Sequence, residues 1–395
     1  MKVLHVIPAL SSAYGGPSRA VLEMCRALAT QGVEAEIATT NADGRKDLDV
    51  PLGRKINYLG VSTYFFPRSL KTEYKFSWPL TVWLKKNIRN YDLLHIHSIF
   101  CHPTVVAARL ARKFGIPYLV RPAGMLDDWP LKQKQWRKWF YFNFIERKTL
   151  EEATAIHYTS EEEKRVSEKL GYSTRGVVIP LGIHADSKYD TVEKGMFREK
   201  FPQCVGKKLV VFLSRLHPKK GLELLVAAIS QLSRIRDDFI WVIAGQGEDG
   251  YEAALKTRIQ KSGLSSRTLF TGFLEGEDKC ALLKDADIFV LPSYQENFGI
   301  AVVEAMQHRL PVVISDRVDL AEEINVYGAG LIIPLQSEKI SFAFQTLLDN
   351  EELRKKMGEA GKKLVREKFD SKKMAERLID LYKEILTHET VGSRH

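Results

Sequence analysis

Short β-branched runs alternate with amphipathic helical stretches along nearly the whole chain, and this alternation limits the fold more than any other feature. Residues 3–7, 36–40, 93–97, 118–121, 155–158 and 177–179 read as strands. Between them, residues 17–30, 77–88, 104–114, 133–148 and 160–169 carry the three-and-four apolar spacing of helices. Strand, helix and strand in succession build a mostly parallel, doubly wound sheet with helices on its faces. The rhythm breaks between His184 and Lys207, a polar stretch without a strand signal. It restarts with a strand at 209–214, a helix at 221–232, a strand at 239–244 and a helix at 252–261. Strand signals at 268–271, 288–291, 312–314 and 331–333 complete a second series. The expected fold class is α/β: two Rossmann-like halves joined near residue 185, with a ligand cleft between them. In such sheets ligands sit beyond the carboxyl ends of the strands. The last helix carries Met374, Leu378, Leu381 or Tyr382, and Ile385, an apolar stripe that needs a docking surface.

The totals agree with this frame and narrow the partners. At 395 residues the chain is long enough for two or three domains, each with its own core. Its net charge of +10 suits an anionic ligand, an anionic membrane surface or nucleic acid, without choosing among them. No apolar run approaches the roughly 20 residues of a membrane span, so membrane contact is expected to be peripheral. The opening MKVLHVIPALSSA has the outline of a secretory leader. His5 and Pro8 interrupt its apolar run, however, and it reads as the first strand. Cys25, Cys101, Cys204 and Cys280 are scattered without a CxxC pair. Buried thiols in a reduced, cytoplasmic protein are expected, and no zinc site.

Chemistry concentrates just after strand ends. In DIFVLPSYQENFGIAVVEAM, residues 287–306, an apolar strand stops at Pro292, a polar loop carries Glu296, and a helix opens near Phe298 and Gly299 with Glu304 on its second turn. The first N–H groups of a helix lack intrahelical partners, and the helix dipole favours negative charge there. Carboxylates repel phosphate but accept from neutral hydroxyls. A ligand with both phosphate and hydroxyl groups, such as a sugar nucleotide, meets both requirements. After the first strand, Gly15-Gly16 permits a close backbone approach and Pro17 starts a helix. A Gly-Gly turn alone is also simply a tight connection, and it lacks the GxGxxG spacing of a dinucleotide site. After the first strand of the second half, Arg215 and Lys220 flank a short loop. Two cations there suit a diphosphate, although singly they also read as solvated surface residues.

Taken together, Arg215 with Lys220 and Gly221, the turn Ala244-Gly245-Gln246-Gly247, and Glu296 with Glu304 resemble the retaining GT-B glycosyltransferases of family GT4 in order and spacing. PSYQENFGIAVVEAM looks like that family's E-x7-E motif, and the resemblance covers nearly the whole chain. It implies an acceptor-binding domain of residues 1–185 with about 373–395, and a donor-binding domain of residues 186–372. The last helix would cross back onto the first domain. It also implies that Arg215 and Lys220 hold the donor diphosphate, Glu304 binds ribose, and Glu296 contacts the transferred sugar. Backbone groups at Phe298, Gly299 and Ile300, next to Asn297, would meet phosphate and sugar. Gly15, Gly16 and Gly245 would line the donor, and the loop Gly272-Phe273-Leu274 would seat the base.

Two departures stand out. Where many members carry a His facing the reacting centre, Arg121-Pro122-Ala123-Gly124-Met125 has Ala123. His97 is the first substitute, since alternation puts it on one face with His95, although a His at a strand end is often structural. Asp127 and Asp128 are nearby carboxylates that also suit a helix cap. The second departure is Asn297, where Gly is common; it is expected to alter loop shape.

No covalent nucleophile stands out, and two glutamates on one loop-helix unit bind a ligand better than they flank a scissile bond. The family's retention is usually explained by front-face displacement, with the leaving diphosphate stabilised electrostatically. Asp285-Ala286-Asp287 mimics a metal-binding DxD but leads into a buried strand, so no metal and no cofactor besides the nucleotide sugar is expected.

Residues 129–148, WPLKQKQWRKWFYFNFIERK, combine aromatics with cations; Trp136, Phe140 and Phe144 form a ridge beside Lys134 and Lys138. Such a helix suits an anionic membrane surface and an acceptor on a polyprenyl diphosphate. It equally suits a helix with an aromatic core face. Nucleic acid is disfavoured because no binding motif accompanies the charge. The sequence therefore reads as a cytoplasmic hexosyltransferase using a UDP- or GDP-sugar in cell-surface polysaccharide synthesis, peripheral on the inner membrane face. The alternatives are a nucleotide-sugar epimerase of the same fold and a non-enzymatic membrane or nucleic-acid binder.

Overall fold

The computed structural model describes residues 1–126, 141–184, 191–247 and 249–392. The chain forms two compact units, Met1–His184 with Asp370–His395, and Ala185–Phe369.

The first unit is built on β1 (Lys2–Ala9), β2 (Glu34–Thr40), a two-residue-strand hairpin β3 (Ala42–Asp43) and β4 (Lys46–Asp47), β5 (Lys55–Tyr58), β6 (Val61–Phe66), β7 (Leu93–His97), β8 (Tyr118–Arg121), β9 (Ala155–Tyr158) and β10 (Gly176–Val178). Eight of these form one sheet in the order β10-β9-β8-β7-β1-β2-β6-β5. Every neighbouring pair is parallel except β5 and β6. Apart from Lys2 at the start of β1, the central strands are buried throughout, as a sheet covered on both faces requires. Helices α1 (Gly16–Thr30), α2 (Trp78–Asn87), α3 (His102–Phe114), α4 (Arg147–Glu151) and α5 (Glu161–Glu168) accompany it. Their starts follow local chemistry: Pro17 sits in the first turn of α1, Ser77 caps α2 by accepting from Leu80 N, and Ser160 caps α5 by accepting from Glu163 N.

The edge hairpin β5–β6 is absent from the sequence reading. Its turn puts Leu59 and Gly60 at φ 49° and 85°, the left-handed pair of a tight hairpin. Leu occupies a position where Asn or Asp is the usual signal, so the turn is hidden.

The second unit carries a six-stranded sheet in the order β13-β12-β11-β14-β15-β16, all parallel. Its strands are β11 (Lys208–Leu213), β12 (Phe239–Ala244), β13 (Thr268–Gly272), β14 (Ile288–Leu291), β15 (Val312–Ser315) and β16 (Gly330–Ile333). Its helices are α6 (Met196–Lys200), α7 (Leu222–Leu232), α8 (Asp249–Lys261), α9 (Gly276–Asp285), α10 (Ile300–Gln307), α11 (Ala321–Tyr327), α12 (Ser337–Asp349) and α13 (Glu351–Lys368). The last helix, α14 (Ser371–Gly392), belongs to the first unit and packs on α1. Its stripe Met374, Leu378, Leu381, Tyr382 and Ile385 is buried there. Each such side chain contributes about 2 kcal/mol of burial, so the stripe holds the helix firmly. No helix among the described residues is long and apolar enough to cross a membrane.

Candidate active site

In the second unit the strand order reverses between β11 and β14. Such a switch point separates two loops and opens a crevice at the carboxyl ends of the strands. The loop after β11 carries Arg215 and Lys220; the loop after β14 carries Glu296 and Asn297. Tyr294 N donates to Lys219 O at 2.8 Å, tying one loop to the other. Gly221, at φ 71°, brings the start of α7 so close that a Cβ would lie 2.1 Å from Pro292 O. The turn after β12 closes on the same loops: at Gly245, φ 148°, a Cβ would meet Ser214 O at 1.9 Å, and Leu216 N donates to Gln246 O at 2.9 Å. Gly245 is thus required by backbone packing, whatever it does for a ligand.

Lys220 and Glu296 form a direct ion pair, with side chains 12% and 19% exposed. Arg215 is exposed and has no ion pair among the described residues, which leaves its guanidinium available. Phe298 is buried, its ring edge-on to Phe369 with centroids 5.4 Å apart. Gly299 follows as the left-handed cap of α10, so the helix starts at Ile300 as the motif requires. Glu304, one turn on, is buried and accepts from Lys279 Nζ at 2.8 Å. Phe273 is exposed and Leu274 half-buried in the loop between β13 and α9.

Two features of this site escape the sequence. Lys279 lies on α9, outside every motif, and only the tertiary packing brings it to Glu304. The loop after β15 backs the motif: Glu296 N donates to Arg317 O at 3.1 Å, Asp319 N to Glu296 O at 2.9 Å, and Asn297 Nδ2 to Asp319 Oδ2 at 3.3 Å. Asn297 therefore shapes the loop. Asp285 and Asp287 are engaged by the fold, the first by Gly195 N and Arg198 N, the second by Leu209 N.

Gly15 and Gly16 lie in the first unit, at the start of α1, Gly15 with φ 69°. His97 corrects the expectation placed on it. It is fully buried, and its Nε2 pairs with His5 Nδ1 at 2.9 Å inside the sheet's covered face. Strand alternation puts His95 and His97 on one face, but both faces of this sheet are covered, so a shared face does not mean an exposed one. His5, His95, His97, Arg121 and His157 form one buried layer on neighbouring strands.

Hydrogen bonding fixes part of that layer's protonation. His157 Nε2 lies 2.8 Å from Ile179 O, which only accepts, so that nitrogen carries the hydrogen. The neutral ring then accepts at Nδ1 from His95 Nε2 at 3.2 Å, and His95 Nδ1 accepts from the Tyr382 hydroxyl at 2.7 Å. Burial, and after it the Arg121 charge, pushes His5 and His157 down to about 3. His95 and His97 are also held well below the ordinary range, chiefly by burial. His5, His95 and His97 are the one group among the described residues that could converge on a metal ion, but the Arg121 charge in the same layer disfavours a cation.

Ala123 sits in a left-handed turn at φ 56°. Asp127, Asp128, Lys134, Trp136, Lys138 and Phe140 lie outside the described residues. Of the aromatic ridge, Phe144 is described and is 73% exposed.

The chain matches the family model "Glycosyl transferases group 1" over residues 194–364 and "Glycosyl transferase 4-like domain" over residues 15–182. It is 26% identical to O-antigen chain mannosyltransferase C of Escherichia coli, covering 98% of this chain and 99% of that one. It is 30% identical to alpha-D-kanosaminyltransferase of Streptomyces kanamyceticus, a match spanning 45% of this chain and less than half, 46%, of the relative. Among solved structures, HepE of Anabaena, in complex with UDP and glucose, superposes with a TM-score of 0.77 at 18% identity, over 97% of this chain and 100% of that chain. Two parallel-sheet units with this motif order define a glycosyltransferase of GT-B fold. More narrowly, the chain belongs to the group 1 glycosyltransferases, and it is a transferase enzyme.

Proposed function

We propose that the enzyme is a retaining, metal-independent hexosyltransferase. It takes its sugar from a nucleotide diphosphate and transfers it to a glycan acceptor in cell-surface polysaccharide assembly. The observation that carries this reading is the Lys220–Glu296 ion pair at the switch point of the second sheet, with Arg215 exposed on the same loop as Lys220. A diphosphate draws Lys220 and Arg215 to itself, and the freed Glu296 carboxylate turns to the hydroxyls of the sugar. The start of α10 adds a dipole for phosphate, and Glu304 accepts from ribose hydroxyls.

Catalysis then rests on stabilising the diphosphate as the bond from anomeric carbon to phosphate oxygen breaks. The acceptor oxygen forms its bond on the same face, and its proton passes to the departing phosphate oxygen. The donor is a UDP- or GDP-sugar, and the E. coli relative's name favours mannosyl transfer. The acceptor is carried on a polyprenyl diphosphate at the inner face of an anionic membrane.

The test is product analysis. The enzyme is incubated with UDP-glucose, UDP-N-acetylglucosamine or GDP-mannose and a polyprenyl-diphosphate-linked disaccharide, with and without EDTA. One donor should add a hexosyl unit with the donor's anomeric configuration, at the same rate in EDTA. Altered free donor with no extended acceptor would instead support an epimerase.

A further inference from the structure

The first sheet has its own switch point, between β1 and β7, where the loops after both strands flank a crevice. Backbone strain concentrates there. Ser98 and Phe100, after β7, take φ 73° and 61°, and Ala123, after β8, takes 56°, left-handed values that non-glycine residues rarely adopt. Ser98 N donates to Arg121 O at 2.9 Å, joining the two loops. Each strained turn is held by a buried glutamate. Glu163, on the first turn of α5, accepts from Gly124 N at 2.7 Å and, with its other oxygen, from Thr159 N at 2.8 Å. Glu146 ends a π-helical turn, Phe142–Glu146, and accepts from Phe100 N at 2.6 Å. Its second oxygen is buried without a hydrogen-bond partner among the described residues. A single-turn π-helix inside a helical stretch is frequently found at a functional site.

An aromatic surface with hydroxyls gathers around Phe100. The Tyr141 hydroxyl donates to Tyr74 Oη at 3.1 Å, the Phe100 and Tyr141 ring centroids are 5.9 Å apart, and Lys75 Nζ stands 4.6 Å from the Tyr14 ring centroid. Tyr14, Tyr74, Phe100 and Tyr141 are all half-buried, so part of each remains open. Aromatic faces pack on the apolar faces of sugar rings, and phenol hydroxyls bond their hydroxyls.

We propose that this surface binds the sugar end of the glycan acceptor, and that Glu146 is a positioning residue which sets it by holding the Phe100 turn. The inference rests on the transferase reading above and assigns its acceptor side. Burial raises the Glu146 carboxyl to about 7, against the pull of the Phe100 N–H. Tyr141, which immediately precedes its turn, and Cys101 from the β7 loop feel its charge, and Lys75 and Glu73 face Cys101. Burial raises Cys101 to about 11 and Tyr141 higher, and lowers His102, so among these shifted neighbours Glu146 is the one that titrates near neutrality. As pH rises through about 7, the carboxylate forms and its bond to Phe100 N strengthens.

The experiment compares full-length wild type, Glu146→Gln and Glu146→Ala. Amide exchange in residues 98–101 is followed from pH 6 to 8, with UDP and GDP binding measured in parallel. Protection of Phe100 should rise with pH in wild type, stay flat in Glu146→Gln and fall at least tenfold in Glu146→Ala. Nucleotide affinity should remain within twofold throughout. With the polyprenyl-diphosphate-linked disaccharide, KM for the acceptor should rise at least fivefold in Glu146→Ala with donor KM unchanged. Wild-type exchange at Phe100 in both variants, or parallel loss of nucleotide binding, would overturn the assignment. Absence of nucleotide binding in wild type itself would instead strike the transferase reading.

Discussion

Lys279 on α9 donates to the Glu304 carboxylate on α10 across 2.8 Å, with side chains 16% and 9% exposed. The pair joins two helices that the sequence gives no reason to connect. It also compensates and orients a carboxylate that would otherwise be buried beside the start of α10.

Replacing Lys279 by Met keeps the aliphatic stem but leaves the Glu304 charge short of compensation. Removing one partner of a largely buried pair costs about 1–3 kcal/mol. We expect denaturant unfolding to show that loss, and calorimetric titration to show about tenfold weaker binding of the preferred nucleoside diphosphate. Unchanged affinity would mean that Glu304 orients itself without Lys279.

Lys220 and Glu296 touch, so their substitutions cannot be independent. Lys220→Ala should weaken donor binding, whereas Glu296→Gln should mainly lower turnover and sugar discrimination. A double-mutant cycle on single-turnover rates should return a coupling of about 1–3 kcal/mol. Additive effects would place the two groups in separate steps.

Gly245→Ala and Arg215→Ala separate packing from binding. A Cβ at Gly245 has Ser214 O in its place, so the variant should lose ~2 kcal/mol or more of stability. Arg215 is exposed, so Arg215→Ala should unfold within about 0.5 kcal/mol of wild type. It should nonetheless compete for inorganic pyrophosphate about tenfold less well.

The imidazole layer predicts acid sensitivity. His5 and His157 are held near 3 when folded, against an ordinary value of 6.5, so below 6.5 the unfolded chain takes up protons that the folded chain refuses. The layer's stability is complete above pH 6.5 and is lost as pH falls toward about 3, at about 1.4 kcal/mol per pH unit for each proton. His5→Phe should flatten the fall in melting temperature between pH 6.5 and 4.5; a profile unchanged by His5→Phe would show that this imidazole does not stay neutral in the fold.

What is readable in the sequence follows physical lines. Central parallel strands such as β12 and β14 are continuous apolar runs because both sheet faces are covered, and their limits are legible. So is the start of α10, because a polar loop and Gly299 mark it. The roles of Lys279, Glu146 and Glu163 are not. A glutamate or lysine on a helix looks solvated until packing buries it, and no local pattern reports that. His97 shows the same limit: period two locates a face but cannot say what covers it.

The central claim is that the second unit binds a nucleotide-diphosphate sugar through Lys220, Glu296 and Glu304. A thermal-shift titration of wild type and Glu304→Ala with UDP-, GDP- and ADP-sugars tests it most directly. One donor should raise the wild-type melting temperature in a saturable way, and the shift should be largely lost in Glu304→Ala. No stabilisation by any of them, or equal stabilisation of both proteins, would contradict it.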